Sequence, residues 1–201
     1  MIKLFRVYGF FGSLRLIQSV LYTRFFFPQA KIIRLPFDIR NKKFIGIGHG
    51  FITGFGCRIE AYPLIATTEP IIKIGSNVQM NDYVHITAME SVTIGNNVLM
   101  ASKIYISDCS HGSYEGTELD SSPLEIPILR KYKTKAIYIE DNVWLGEFVS
   151  ILPGVTIGKG TIVGANSVVT KSLPPNVIAV GAPAKPIKQF NFDTERWEII
   201  K

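Results

Sequence analysis

The sequence predicts an all-β chain wound as a parallel β-helix, with three short strands to each coil, and three observations predict it. From Ile139 the chain reads IEDNVW, LGEFVS, ILPGVT, IGKGTI, VGANSV and VTKSLP, six consecutive hexads. Each opens on an aliphatic residue and carries Val, Thr, Ser or Leu at its fifth place. The same frame returns in IGHGFI and TGFGCR (47–58), IGSNVQ and MNDYVH (74–85), and IGNNVL and MASKIY (94–105), twelve hexads in all. Self-similarity at a fixed period marks a repeat architecture.

The period sets the geometry. The fifth residue of one hexad and the first of the next are two apart, so they share one side of a strand, while the sixth residue points the other way. Val143-Trp144-Leu145, Val149-Ser150-Ile151 and Val155-Thr156-Ile157 therefore read in, out, in. Places two to four, rich in Gly and Asn, must turn the chain, because those residues tolerate positive φ. Three strands and three turns close a coil of about 18 residues, and stacked coils bury their aliphatics. The outward sixth places include Trp144, Ile162, Val168 and Leu99, a density of exposed apolar groups that calls for a second copy or a ligand along the groove.

The flanks follow from the frame. Residues 1–45 form a basic, aromatic segment expected as a helical cap, 46–186 the coil, and 187–201 a C-terminal tail with a short helix at 193–200. LPPN (173–176) is expected to end the coil. A short insertion breaks the frame near 60–71, and the polar stretch 107–138 is expected as an excursion loop, of the kind that often carries function.

Residues 1–37 hold Lys3, Arg6, Arg15, Arg24, Lys31 and Arg34 and no acid, which accounts for the whole net charge of +6. Interleaved with Phe5, Phe10, Phe11, Phe25, Phe26 and Phe27, this segment suits an anionic membrane surface. The plainer expectation is that its aromatics pack on the end of the coil. Its bases do not form a run, so nucleic acid is not an expected partner. At 47% hydrophobic and 19% charged residues the chain is not a disordered one. No cleavable signal peptide is expected, and the longest apolar stretch, 7–22, is broken by Arg15. Two cysteines, Cys57 and Cys109, make no disulfide framework, so a cytoplasmic setting is expected, with contact at the inner face of the cytoplasmic membrane as the membrane reading.

The stretches TIGNNVLMASKIYISDCSHG (93–112) and DNVWLGEFVSILPGVTIGKGTIVGANSVVTKSLPPNVIAVGAPAKPIK (141–188) resemble the hexapeptide-repeat acetyltransferases. The galactoside and maltose O-acetyltransferases are most similar over 72–186, and the N-terminal 45 residues are similar to the start of lipopolysaccharide and capsule polysaccharide O-acetyltransferases. The resemblance implies a left-handed coil, a homotrimer, acetyl-CoA as co-substrate and a sugar or glycan hydroxyl as acceptor in surface polysaccharide biosynthesis. It implies no metal.

Acyl transfer from a thioester asks for a base, a donor to the developing oxyanion and alignment. His49, His85 and His111 are the available histidines. His111 stands where the galactoside family keeps its catalytic His, which implies the general base. His85, at an outward sixth place, suits a structural or subunit contact, and His49 sits in a turn. Asp108 is near His111, though a solvated loop carboxylate is the plainer reading. Cys109 suggests an acyl-enzyme, which a base-only mechanism does not need. Asn81 matches the asparagine that contacts the acceptor sugar in the galactoside family, or simply makes a turn. Met89 replaces that family's acceptor-binding aspartate, which puts galactoside itself in doubt. Gly146 and Gly164 fall 18 apart at turn places, flat enough for a pantetheine arm to approach. Glu147, Ala165, Thr170, Lys171, Lys185 and Lys188 match the family's acetyl-CoA positions, the lysines facing phosphates. Trp144 walls the reaction site or fills a subunit contact.

Two other classes remain. A metalloenzyme of the γ-carbonic anhydrase kind would need three histidines on one zinc. A non-catalytic β-helix scaffold would leave His111 and the lysines without work.

Overall fold

The computed structural model describes residues 2–200. Three parallel sheets form the three faces of a prism. The first sheet takes Phe37–Arg40, Cys57–Ala61, His85–Ala88, Tyr105–Ser107, Ser150–Ile151 and Val168–Val169. The second takes Ile45–Ile47, Ile72–Ile74, Val92–Ile94, Ile137–Ile139 and Thr156–Ile157. The third takes Ile52–Thr53, Gln79–Met80, Leu99–Met100, Trp144–Leu145, Ile162–Val163 and Val177–Val180. The chain visits them in rotation, so each strand pairs with the strand one coil away.

The register fulfils the in-out-in reading. Trp144 pairs with Ile162 on one side and Leu99 on the other, and Leu145 with Val163 and Met100. Val143, Val149 and Val155 are at most 1% exposed, whereas Trp144 is 48% exposed. Inward columns such as Met80, Met100, Leu145, Val163 and Ala179 are sealed from solvent and fill the axis. Truncating any of the larger ones to Ala would cost about 2–5 kcal/mol.

The corners explain the Gly and Asn. Positive φ falls at the fourth place of the hexads: Gly50, Gly56, Asn77, Tyr83, Asn97, Lys103, Asn142, Phe148, Gly154, Gly160 and Asn166. Each coil thus turns through a left-handed residue, cheapest for Gly and Asn. Ser172, the fourth place of VTKSLP, is not among them.

There the frame slips, and the structure corrects an expectation. VTKS is followed by a new hexad, LPPNVI, whose fourth residue Asn176 has φ 58°. Leu173 bridges to Ile157, and Val177–Val180 pairs parallel with Ile162–Val163. LPPN therefore continues the coil instead of ending it. The prolines sit in the turn, where no ladder N–H is needed.

The C-terminal tail is also corrected. Residues 193–200 form no helix: Arg196–Ile199 pairs antiparallel with Lys185–Asn191, which pairs antiparallel with Val177–Val180. The ring of Phe190 meets that of its cross-strand partner Trp197 at 5.3 Å and that of Phe192 at 5.0 Å, so this aromatic pairing outweighs the weak helical pattern.

At the other end, the helix Ile2–Phe26 is interrupted at Gly9 (φ 65°, ψ −177°). The coil also starts earlier than residue 46, since Phe37–Arg40 already pairs in register with 57–60. Its open end is sealed by Phe27, Ile33 and Phe51, each at most 1% exposed. The expected packing of the segment's aromatics on this end holds only in part: Phe27 is buried there with Tyr22 packed against it, whereas Phe10, Phe11, Phe25 and Phe26 are 58–79% exposed. Hydroxyls dock the helix instead. The Ile33 amide donates to Thr23 Oγ1 (2.8 Å) and the Leu35 amide to Ser19 Oγ (3.1 Å).

Candidate active site

The excursion leaves the corner between the first and second sheets after Ser107 and returns at Ile137, which is buried. It carries its own ladder: Cys109–His111 pairs antiparallel with Tyr132–Thr134. His111 lies opposite Tyr132, their ring centroids 4.7 Å apart. Tyr114 donates its hydroxyl hydrogen to the His111 carbonyl (2.6 Å), and Arg130 donates to Tyr114 (2.8 Å). Glu115 holds the hairpin by ion pairs to Lys133 and Lys135, and the Lys135 contact keeps the Glu115 carboxyl below the usual range. His111 is thus an exposed imidazole on a pinned backbone.

Asp108 is not the solvated carboxylate expected. It is fully buried and accepts the amide hydrogens of Met89, Glu90 and Ser91 at 2.8, 2.8 and 2.7 Å. Burial pushes its carboxyl up, against the downward pull of those three donors. Its role is to clamp the hairpin root to the preceding coil, three residues before His111. Cys109 gains nothing as a nucleophile, since burial pushes its thiol up, away from the thiolate.

The other histidines are placed differently. Arginine has only donors, so Arg58 Nη2 donates to His85 Nδ1 (3.1 Å), leaving His85 Nε2 to donate to Glu60 (2.8 Å). Glu60 also binds Arg40 at 3.0 Å. With both ring nitrogens engaged, His85 has no lone pair for a substrate. This buried Glu60 network was not foreseen; its members recur at the outward places of three successive strands, a signal that only the strand register reveals. Tyr132, Tyr114 and Arg130 were likewise missed, because hairpin pairing has no period. Among the described residues no group of three His, Cys, Asp or Glu side chains converges.

Asn81 lies on a different corner, between the third and first sheets. Main-chain bonds stack it in one column: Asn81 N–H to Met100 O (2.9 Å), Ala101 N–H to Leu145 O (2.9 Å), Gly146 N–H to Val163 O (2.8 Å) and Gly164 N–H to Ala179 O (2.8 Å). A Cβ on Gly146 would sit 2.6 Å from the Ala165 amide nitrogen, so this corner admits no side chain there. Glu147 and Ala165 are exposed beside it. Trp144, Ile162, Ile178 and Lys188 continue in register across the adjoining third face, with Lys185 opposite Val180. Thr170 and Lys171 follow Val169 and so fall on the corner that carries the hairpin, as does Met89 after Ala88. Met89 lines an apolar cleft with Pro63, Leu64, Ile65 and Thr134. One chain therefore gathers His111, Met89, Thr170 and Lys171 on one corner, and Asn81, Gly146, Glu147, Gly164 and Ala165 on another, with Trp144 beside it on the third face. The first sheet lies between.

Comparison with known proteins agrees with this geometry. Residues 136–171 match the bacterial transferase hexapeptide family model, described as six repeats. An Escherichia coli K12 protein that carries the name of a lipopolysaccharide biosynthesis O-acetyl transferase, WbbJ, is 46% identical over 197 residues, 98% of either chain. The galactoside O-acetyltransferase of Escherichia coli K12 is 38% identical over 120 residues, 60% of this chain and 55% of that one. Among solved structures, AntD, an N-acyltransferase from Bacillus cereus crystallised with dTDP-4-amino-4,6-dideoxyglucose and coenzyme A, shares the fold. It superposes with a TM-score of 0.66 over 82% of this chain and 84% of its own, at 24% identity. The hexads, the parallel prism and these relatives together identify the chain as a left-handed β-helix transferase of the hexapeptide-repeat acetyltransferase family.

Proposed function

We propose that the chain transfers the acetyl group of acetyl-CoA to a sugar hydroxyl in the assembly of a surface polysaccharide, lipopolysaccharide O-antigen or capsule, with His111 as general base. The observation that carries this reading is the pinned, exposed imidazole of His111, the one histidine on the excursion hairpin, against a His85 whose ring nitrogens are both engaged. The name carried by the relative matched over nearly the whole chain supports the lipopolysaccharide setting.

The chemistry is direct transfer. His111 takes the acceptor hydroxyl proton as the oxygen attacks the thioester carbonyl carbon. The tetrahedral intermediate collapses, the C–S bond breaks, and the thiolate takes the proton back from the imidazolium. An imidazole suits both halves because its ordinary pKa lies near neutrality. The flat corner at Gly146 and Gly164 suits an extended pantetheine arm, with Lys171, Lys185 and Lys188 as partners for phosphates. Asn81 is the candidate acceptor contact, and Met89 with its apolar cleft is what distinguishes this acceptor site from that of a galactoside enzyme.

The two corners argue for a homotrimer. If the first sheet of each copy faces a three-fold axis, the hairpin corner of one copy meets the Asn81–Gly146 corner of the next, and the divided set becomes one site. The exposed Trp144 and Leu99 would then be covered.

His111→Ala tests the reading, with labelled acetyl-CoA and a panel of hydroxyl and amino sugars, free, nucleotide-linked and lipid-linked. The expected loss is about 10²–10⁴-fold in rate with the fold intact by circular dichroism. A folded His111→Ala protein as fast as its parent would end the mechanism, and transfer to amino sugars alone would end the hydroxyl assignment.

A further inference from the structure

The N-terminal helix is built inside out. Gly12, Leu16, Ser19 and Thr23 recur every three or four residues and face the prism, where Ser19 and Thr23 accept the Leu35 and Ile33 amides. Half a turn away, Phe10, Leu14, Ile17, Leu21 and Phe25 form an unbroken stripe, 61%, 47%, 46%, 52% and 79% exposed. An ordinary surface helix buries such a stripe and shows its hydroxyls to water. Here the stripe, about 22 Å long, is turned outward.

We propose that this stripe docks in the interface of an anionic phospholipid bilayer, the helix lying in the membrane plane. Charge selects this occupant. Residues 1–37 carry six bases and no acid, and Arg15 and Arg24 flank the stripe, so phosphate headgroups complement it. A second copy of the same face would instead set like charges together. Arg15 and Arg34 also line the cleft between helix and first coil with Tyr8 and Phe55, and the buried Arg34 Nε has no hydrogen-bond partner among the described residues. Insertion across the bilayer is not the alternative. None of the described helices is long and apolar enough to cross a membrane, and the hydroxyl stripe is fixed to the prism. The inference goes beyond acetyl transfer and stands apart from it. In a trimer with parallel prism axes, three such helices would lie at one end and act together.

Flotation of the full chain with lipid vesicles tests it. The parent protein is expected to float with phosphatidylcholine–phosphatidylglycerol vesicles at least ~10-fold more than with phosphatidylcholine alone, and to release as salt rises. Leu14→Asp/Leu21→Asp should lose that binding by at least ~10-fold while keeping its thermal midpoint. Phe25→Ser, at the C-terminal end of the same stripe and clear of the hydroxyl face, should weaken it less but in the same direction. A parent that ignores both vesicles, or a folded double variant that floats as well as the parent, overturns the proposal. So does a double variant whose only change is a smaller oligomer in light scattering, which would assign the face to another copy. Transfer activity in detergent-free buffer reads separately, so failure here leaves the acetyltransferase reading untouched.

Discussion

The coil at 139–163 and the hairpin at 108–136 sit side by side in one molecule, yet they are specified in opposite ways. In the coil each place in the hexad does a single thing. The first and fifth residues fill the axis, the sixth faces out, and the fourth takes positive φ. In the hairpin, order comes from particular partners: Asp108 on three amides, Tyr114 on a carbonyl, Glu115 between two lysines. Periodic burial makes a scaffold whose positions are interchangeable; single polar contacts make a place for one side chain. The proposed chemistry falls on the second kind of structure, mounted on the first.

The sharpest way to break the contrast is at adjacent residues of one strand. Val155→Lys, at a buried fifth place, leaves an ammonium with no partner and should abolish folding, whereas Thr156→Lys next to it, outward on the second sheet, should stay within about 0.5 kcal/mol, both read by chemical denaturation. Asp108→Ala comes next. It strips a shared acceptor from three amides and should cost about 3 kcal/mol, with faster hydrogen exchange in 109–134 and slower transfer, while exchange in the coil's 143–163 holds. A smaller effect separates exposure from conformational demand. Asn166 is exposed but has φ 57°, so Asn166→Val should lower stability by about 1–2 kcal/mol. Glu118→Val, equally exposed on the excursion, should change it by less than about 0.5 kcal/mol.

The same contrast governs what could be read in advance. Inward and outward residues, the turn places and the excursion were legible because each repeats, or breaks a repeat, at a fixed interval. The slip at Ser172, the continuation through LPPNVI and the antiparallel strand at 196–199 were not, since each occurs once. His111 was legible through its motif, but Asp108 was misjudged: a carboxylate among polar loop residues looks solvated until three amides are seen to close on it. The helix misled for another reason. Hydrophobic residues ordinarily point inward, and nothing in the order of its Phe and Ser residues announces that the hydroxyls take the inner side. Asn81 and His111 were both singled out, yet that they occupy different corners follows only from counting strands around the prism.

In the proposed trimer two corners of neighbouring copies complete one site, and subunit mixing tests this most directly. His111→Ala removes the base from one corner, and Ala165→Trp blocks the other from an exposed turn place beside Gly146. Each variant alone should be inactive. After co-unfolding and co-refolding, mixed trimers pair an intact hairpin with an intact neighbouring corner, so acetyl transfer should return. A mixture that forms hybrid trimers and stays as inactive as its parents would contradict the account.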